Sequence, residues 1–342
     1  MPTTSATAVR PERLMQFSFG FAPPLIIEAA LRHQVFEILA KGASTLEGLC
    51  AETHTSARGL RAILNALVGL DLLGRDAEGC YTLTAESAAF LVRGTPTFHG
   101  AFFLLTSEPM LSHWRELYEI VRSGHSAQHI NREDDGVRFF LRFVEDIFPM
   151  HYAAAQRLGE TLEVAQAAAP LSVLDVAAGS GVWSAALALQ SPHVRVTAVD
   201  WAGVIPVTRK VTARLGIADR YRFVEGDLLD ADFGRLHDIA VAGHILHSEG
   251  ERRSRALLAK IFEALAPGGM IAIAEILVDA HRAAPLPALL FAVNMLVNSD
   301  EGDIFSLEEI SGWLGDTGFD EIRTVEAPGL ARQLIIATKP QG

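Results

Sequence analysis

Three acidic residues in the second half of the chain each follow or end an apolar run: Asp175, Asp200 and Asp227. Small residues at 177–181 follow the first, and such a turn lets a ligand approach the backbone and the start of a helix closely. A carboxylate at the second position can accept hydrogen bonds from both hydroxyls of a ribose. One at the third position can accept from an adenine amino group, with Leu228 packing on the ring. Together the three acids predict an adenosine pocket.

The acid before the glycine turn favours one kind of ligand. A dinucleotide site is typically G-x-G-x-x-G without an acid before it, and Asp175 would repel a pyrophosphate. It suits a ligand with a cationic amino-acid end instead. S-Adenosylmethionine combines adenosine with such an end, so we expect it as the cofactor. A nicotinamide-dependent dehydrogenase is the rival hypothesis.

Strands and helices alternate from residue 171 onwards. This alternation predicts a doubly wound, mostly parallel sheet. No helical pattern separates the last two strands, which predict an antiparallel hairpin. The predicted strands are 172–176, 194–199, 221–225, 239–242, 270–275, 321–326 and 333–338.

The first part of the chain is rich in helical patterns. Two short helices followed by strand, polar turn and strand near 70–84 are typical of a winged helix. Acids outnumber bases over 44–80, so we favour a packing and dimerising module over a DNA-binding one. A helical module this apolar indicates a homodimer. We predict three domains: 1–97, a helical linker at 98–165, and 166–342.

Composition narrows the function further. The 342 residues carry a formal net charge of -12, which opposes nucleic-acid and anionic-membrane binding. Cys50 and Cys80 are too few for a disulfide framework, and twelve histidines show no metal-binding motif. No secretory signal or membrane span is evident. We expect a cytoplasmic protein without a metal, nucleic-acid or membrane partner.

These motifs resemble those of the small-molecule O-methyltransferases of plants and bacteria, which include caffeic acid, acetylserotonin and polyketide methyltransferases. The resemblance covers nearly the whole chain and rests on segments 174–181, 200–205, 226–228 and 265–269. It implies a winged-helix dimerisation domain, a helical linker and a Rossmann-like methyltransferase domain. The glycine motif of the family usually reads DVGGGxG, and here alanines replace its first two glycines.

The resemblance also implies how a proton leaves the acceptor. His247 falls on the position of the family's catalytic base, and an imidazole can take a phenolic proton near neutral pH. His244 is the competing base. Glu275 matches a glutamate that orients the base, whereas Ser248 and Ile304 stand where the family has acids. These departures leave C- or N-methylation open beside O-methylation.

We therefore predict two groups of contacts. The donor is held by residues of the glycine turn and of the three acidic positions, and the resemblance adds Met150. These contacts are Asp175, Ala177, Gly179, Gly181, Asp200, Trp201, Gly226, Asp227, Leu228 and Met150. The acceptor is a small, aromatic or polyketide-like molecule, because its predicted contacts are mostly apolar: Phe143, Phe291, Asn294, Met295 and His244. A non-catalytic winged-helix regulator is a further alternative.

Overall fold

The computed structural model describes residues 11–104, 110–141, 144–329 and 332–341. The chain forms two compact units, Met1–Met110 and Leu111–Gly342. Residues predicted as a linker at 98–165 therefore fall in both units. The first unit contains α1 to α7 and a two-stranded sheet: α1 Glu12–Gln16, α2 Ala22–Arg32, α3 Val35–Leu39, α4 Leu46–Thr53, α5 Ala57–Gly69, β1 Leu73–Arg75, β2 Tyr81–Leu83, α6 Ala85–Phe90 and α7 Gly100–Leu104.

The first unit has the predicted winged-helix pattern. The side chains of Thr45 and Ser56 accept from backbone N–H groups and so begin α4 and α5. Strands β1 and β2 pair antiparallel to form the wing. Leu31, Phe36 and other buried apolar side chains join the helices in one core.

One described helical stretch in this unit, Glu12–Arg32, is long and apolar enough to cross a membrane by length and composition. Core helices pass the same test, and Ala30 and Leu31 of α2 are fully buried in the core of the unit. Large apolar side chains remain exposed at its start, including Phe17 and Phe19. The absence of a membrane partner stays a prediction.

Four helices precede the large sheet in the second unit. They are α8 Leu111–Trp114, α9 Leu117–Ser123, α10 Glu133–Phe140 and α11 Phe148–Thr161. Residues 123–136 are mostly polar, yet α10 begins inside that range. Its first turn carries Glu133, Asp134 and Asp135, and acids there stabilise the positive end of a helix.

The second unit is built on a seven-stranded sheet in the order β5-β4-β3-β6-β7-β9-β8. The first five strands in that order are parallel, whereas β9 pairs antiparallel with both β7 and β8. The predicted fold, a mostly parallel sheet with a terminal hairpin, is confirmed. The elements are β3 Leu171–Val176, α12 Val182–Gln190, β4 Val194–Asp200, α13 Ile205–Arg214, β5 Tyr221–Glu225, β6 His237–Gly243, α14 Leu246–Ala264, β7 Leu265–Ala274, α15 Leu286–Asn298, α16 Leu307–Thr317, β8 Asp320–Glu326 and β9 Gln333–Thr338.

The sheet is covered on both faces, as a parallel sheet requires. Val173 and Val241 pack with α11 and α12 on one face, and Leu174 and Ala240 pack with α14 and α16 on the other. Parallel strands bring their carboxyl ends to one edge. The loops after β3, β4, β5 and β6 therefore meet there.

Candidate active site

A cavity opens at this edge, with about 880 Å³ of free space that includes its mouth towards solvent. The loops after β3 to β6 supply one wall, and Ile130, Phe140, Val144 and Ile147 supply an apolar wall. Of the predicted donor contacts, six line the cavity: Ala177, Gly179, Asp200, Trp201, Asp227 and Leu228.

The turn after β3 has a backbone that glycine favours. Ala177, Gly179 and Gly181 all have φ between 56° and 75°. A Cβ at Gly179 would lie 2.7 Å from Val144 Cγ2. Small residues thus keep this wall open, and Gly181 begins α12 without itself lining the cavity.

Asp200 is held by two backbone donors. Its Oδ2 accepts from Gly179 N at 2.8 Å and its Oδ1 accepts from Trp201 N at 2.7 Å. Burial nevertheless raises the pKa of Asp200 to about 6, because these two bonds do not offset the loss of water. The carboxylate faces the cavity and retains capacity to accept further hydrogen bonds.

The carboxylates of Asp227 and Glu249 both accept hydrogen bonds from the guanidinium of Arg253. Arg253 Nη2 donates to Asp227 Oδ2 at 2.8 Å, and Arg253 Nε donates to Glu249 Oε2 at 2.5 Å. All three residues line the cavity next to Leu228. Gly226 precedes Asp227 with φ 147° and does not line the cavity.

Asp175 does not lie where we predicted it. It is 1% exposed, accepts a short hydrogen bond from Ser184 Oγ, and is absent from the cavity lining. Side chains alternate along a strand, so Asp175 faces α12 together with Val173. Burial raises the pKa of Asp175 to about 7. The predicted contact with the donor is therefore withdrawn, and the carboxylate joins β3 to α12.

Three aromatic rings close the far end of the cavity. The His244 ring lies 4.4 Å from the His151 ring and 6.1 Å from the Trp183 ring, measured between centroids. Its Nε2 is buried and has no hydrogen-bond partner within the described part of the chain. Burial, with the neighbouring His151, lowers the pKa of His244 well below its usual range, so this imidazole is neutral.

His247 lies next to His244, at 6.2 Å between ring centroids, and its side chain is 13% exposed although it is not among the cavity-lining residues. Its Nδ1 is 2.7 Å from Glu275 Oε2, while Glu275 Oε1 accepts from Leu246 N at 2.7 Å. Burial alone would raise the pKa of Glu275. The charge and hydrogen bond of His247 outweigh it, and the pKa of Glu275 is lowered.

His244, His247 and Glu275 offer possible metal-ligand atoms within 4.8 Å of one another. However, both oxygens of Glu275 already accept hydrogen bonds from the protein. The described contacts therefore favour an imidazole–carboxylate pair over a metal centre. The predicted absence of a metal stays a prediction.

The structure separates the predicted acceptor contacts. The Phe291 ring meets the His247 ring edge-on at 5.0 Å. Asn294 Oδ1 accepts from Trp114 Nε1 at 3.2 Å, and Met295 is 3% exposed in the same helix. Met150 is half-buried on α11 and is not in the cavity lining, and Phe143 lies outside the described residues.

Sequence reasoning missed several residues of the site. Ile147 and His151 line the cavity from one face of α11, four residues apart, on either side of Met150. Glu249 and Arg253 line it from α14, on opposite sides of Gly250, whose φ of 71° kinks the helix. A helical wheel of α11 would have shown the spacing of its two residues, but nothing in the sequence says which face meets the cavity.

Comparison with known proteins decides the family. A family model described as the O-methyltransferase domain matches residues 118–320, and an O-methyltransferase dimerisation domain matches residues 15–93. The chain belongs to the O-methyltransferase family.

Relatives of this O-methyltransferase span its whole length. It is 29% identical over 99% of its chain, and 100% of the other, to the tetracenomycin polyketide synthesis 8-O-methyl transferase TcmO of Streptomyces glaucescens. A crystal structure from Nostoc punctiforme, assigned as an O-methyltransferase, is 27% identical with a TM-score of 0.88 and coverage of 97% and 100%. Human N-acetylserotonin methyltransferase in complex with S-adenosylmethionine shares the fold, at 22% identity and TM-score 0.80 with coverage of 98% and 100%.

S-Adenosylmethionine is thus the cofactor, and the cavity fits it. Glycine and alanine leave room along the turn after β3, where a Cβ at Gly179 would fill the wall. Asp200 and Asp227 offer carboxylates at the ends of successive strands, suited to hydroxyl and amino donors. Arg253 is already paired with Asp227 and Glu249, so the described cavity lining has no unpaired Lys or Arg for a pyrophosphate, which disfavours a dinucleotide.

Proposed function

We propose that this O-methyltransferase methylates a phenolic hydroxyl of a small aromatic, polyketide-like molecule, with His247 as the general base. The observation that carries the proposal is the His247–Glu275 pair beside the cavity. The proposal extends the family's activity to a substrate class and a base. It also takes His247, rather than His244, as the residue that accepts the proton.

The donor site follows from the residues that line the cavity. Asp200 accepts from the ribose hydroxyls, and Asp227 with Leu228 binds adenine. Ala177 and Gly179 keep the wall beside the methionine chain open, with Trp201 as a further contact. When bound, S-adenosylmethionine supplies a methyl group on a positively charged sulfur, already activated for transfer. The protein's remaining task is to position the acceptor and remove its proton.

The base assignment follows from the state of the two imidazoles. The Glu275 carboxylate can only accept from the His247 Nδ1–H, so the lone pair of the neutral ring is on Nε2. This nitrogen takes the hydroxyl proton, and Glu275 stabilises the imidazolium that forms. Among the described residues no carboxylate is hydrogen-bonded to His244, and its lowered pKa makes it a poor base. We assign it to ligand contact instead.

The acceptor class rests on the apolar surroundings. Ile130, Phe140 and Ile147 line the cavity, and Phe291 packs against His247. Apolar walls of this kind suit an aromatic ring, and the TcmO relative is named for a polyketide substrate. We also propose a cytoplasmic homodimer joined through domain 1–97, with the linker 98–165 and domain 166–342 carrying the site.

The test is a histidine substitution assayed for methyl transfer. Products of wild-type protein with S-adenosylmethionine and a panel of phenols, anilines and carbon nucleophiles are identified by mass spectrometry. His247→Asn should lower kcat by about 10²- to 10⁴-fold while donor affinity, measured by calorimetry, stays near wild type. His193→Asn, at an exposed histidine, is the matched control. Full activity in His247→Asn would remove the base assignment, and transfer only to amines would overturn the hydroxyl acceptor.

A further inference from the structure

Arg253 occupies the wall of the cavity between two acids. Its Nη2 donates to Asp227 Oδ1 at 3.1 Å and to Oδ2 at 2.8 Å, and its Nε donates to Glu249 Oε2 at 2.5 Å. The Arg253 side chain is 21% exposed. It is the only Lys or Arg among the described residues that line the cavity.

Removing these charged groups from water has a large cost in free energy. Glu249 is 2% exposed, and burial raises its pKa despite the bond from Arg253. A buried ion pair is a weak source of stability, because the cost of removing charges from water consumes most of the attraction. A role for this pair in fixing the geometry of the wall explains its presence better.

The geometry that it fixes is that of Asp227. The planar guanidinium contacts both carboxylate oxygens, and Leu229 N donates to Oδ1 at 2.9 Å. Three bonds hold the plane of the carboxylate in one orientation. Glu249 in turn prevents Arg253 from rotating away. The wall thus presents a fixed acceptor beside a fixed donor.

Adenine has the complementary pattern on one edge. Its amino group donates, and the ring nitrogen next to it accepts. We propose that Arg253 is a specificity-determining residue of the donor site: it fixes Asp227 for the 6-amino group of a purine and donates to the neighbouring ring nitrogen. The site then accepts a 6-aminopurine and rejects a 6-oxopurine. The inference rests on the proposed assignment of Asp227 to adenine.

The experiment compares two product-like ligands. Calorimetry measures Kd for S-adenosylhomocysteine and for S-inosylhomocysteine, which has an oxygen in place of the amino group. Wild-type protein should prefer the amino ligand by roughly 100-fold, since a site built for hydrogen bonds leaves groups unpaired with the analogue. Arg253→Met should weaken the amino ligand about tenfold and reduce the preference by a similar factor. Equal weakening of both ligands would reduce Arg253 to a structural role and overturn the proposal.

A matched control and a double-mutant cycle complete the test. Arg252→Met, at an exposed neighbour paired with Glu301, should keep both wild-type affinities. In an Asp227→Asn background, Arg253→Met should have a smaller effect than in wild type, because only the bond from Arg253 to the ring nitrogen remains to be lost. An undiminished effect there would contradict the positioning role. Arg253→Lys keeps a cation beside Glu249 and replaces the Met variant if that one does not fold; it should lose preference in the same direction. Wild-type protein that bound neither ligand would refute the proposed donor site, an outcome distinct from lost selectivity.

Discussion

Asp200 and Glu275 are two buried carboxylates with similar backbone partners and opposite pKa shifts. Each accepts from backbone N–H groups at the carboxyl edge of the sheet. The pKa of Asp200 is raised to about 6, whereas the pKa of Glu275 is lowered. Burial opposes the anion in both. The difference is the imidazole of His247, which Glu275 has and Asp200 lacks.

The opposite pKa shifts indicate different roles for the two ends of the site, the donor end with Asp200 and the base end with Glu275. Asp200 is incompletely satisfied, so it gains most from hydroxyl groups that a ligand brings. Glu275 already has its partners, so it acts on His247 and not on a ligand. Changes at the donor end should therefore alter the affinity for the donor, and changes at the base end should alter the rate of transfer.

The largest effect on this comparison is expected from Asp200→Asn. Hydrogen bonds to a charged group contribute about 1.5–3 kcal/mol each, so losing two should raise the donor Kd by roughly 100-fold or more. Calorimetry measures Kd, and kcat at saturating donor should change far less. A thermal unfolding curve near wild type shows that the variant is folded. Unchanged Kd would remove Asp200 from the ribose site.

The substitution Glu275→Gln tests the base end of the site. Replacing the anion removes a charge-assisted bond to the imidazolium that forms during transfer, so kcat should fall roughly 10- to 100-fold. The donor Kd should stay near wild type, in contrast to Asp200→Asn. Glu251→Gln is the control, since Glu251 lies on α14 but pairs with Arg255 at the surface. A large change in Kd and none in kcat would invert the assignment.

The same contrast explains what could be predicted from the sequence. Strand ends such as Asp200 and Asp227 are local features, because apolar runs and turns mark where each strand stops. Six of the seven strands of the large sheet lie within a few residues of their predicted ranges, whereas β7 begins earlier at Leu265. The glycine and alanine residues of the turn after β3 could be predicted from the sequence in the same way.

Features that depend on the direction in which a side chain points could not be predicted from the sequence. Asp175 lies inside a strand, where one position decides which face a side chain takes, and it faces α12. Asn294 and Phe291 share α15, yet one contacts Trp114 and the other contacts His247. Arg253 and His151 join the cavity from helices whose orientation depends on the packing of distant segments.

Lowering the pH should affect Asp200 and Glu275 differently. Because the pKa of Asp200 is raised to about 6, the residue is ionised at pH 7 and becomes protonated as the pH falls through 6. A protonated carboxyl cannot accept fully from both ribose hydroxyls. The donor Kd should therefore be about tenfold higher at pH 5 than at pH 7. Asp200→Asn should lose this dependence, and a slope that persisted in that variant would assign the titration to another group, such as Asp175.

The smallest effect is expected from His244→Asn, and it bears on the base end of the comparison. His244 is neutral because burial and His151 lower its pKa, so it does not take the proton from the acceptor. Losing one neutral hydrogen bond to a ligand costs about 0.5–1.5 kcal/mol, so kcat/KM should fall only 2- to 10-fold. The shape of the pH–rate profile should match wild type, since the pair of His247 and Glu275 is intact. A fall as large as that in His247→Asn, with a changed profile, would move the base to His244. It would also mean that the carboxylate contact of His247 is not what selects the base.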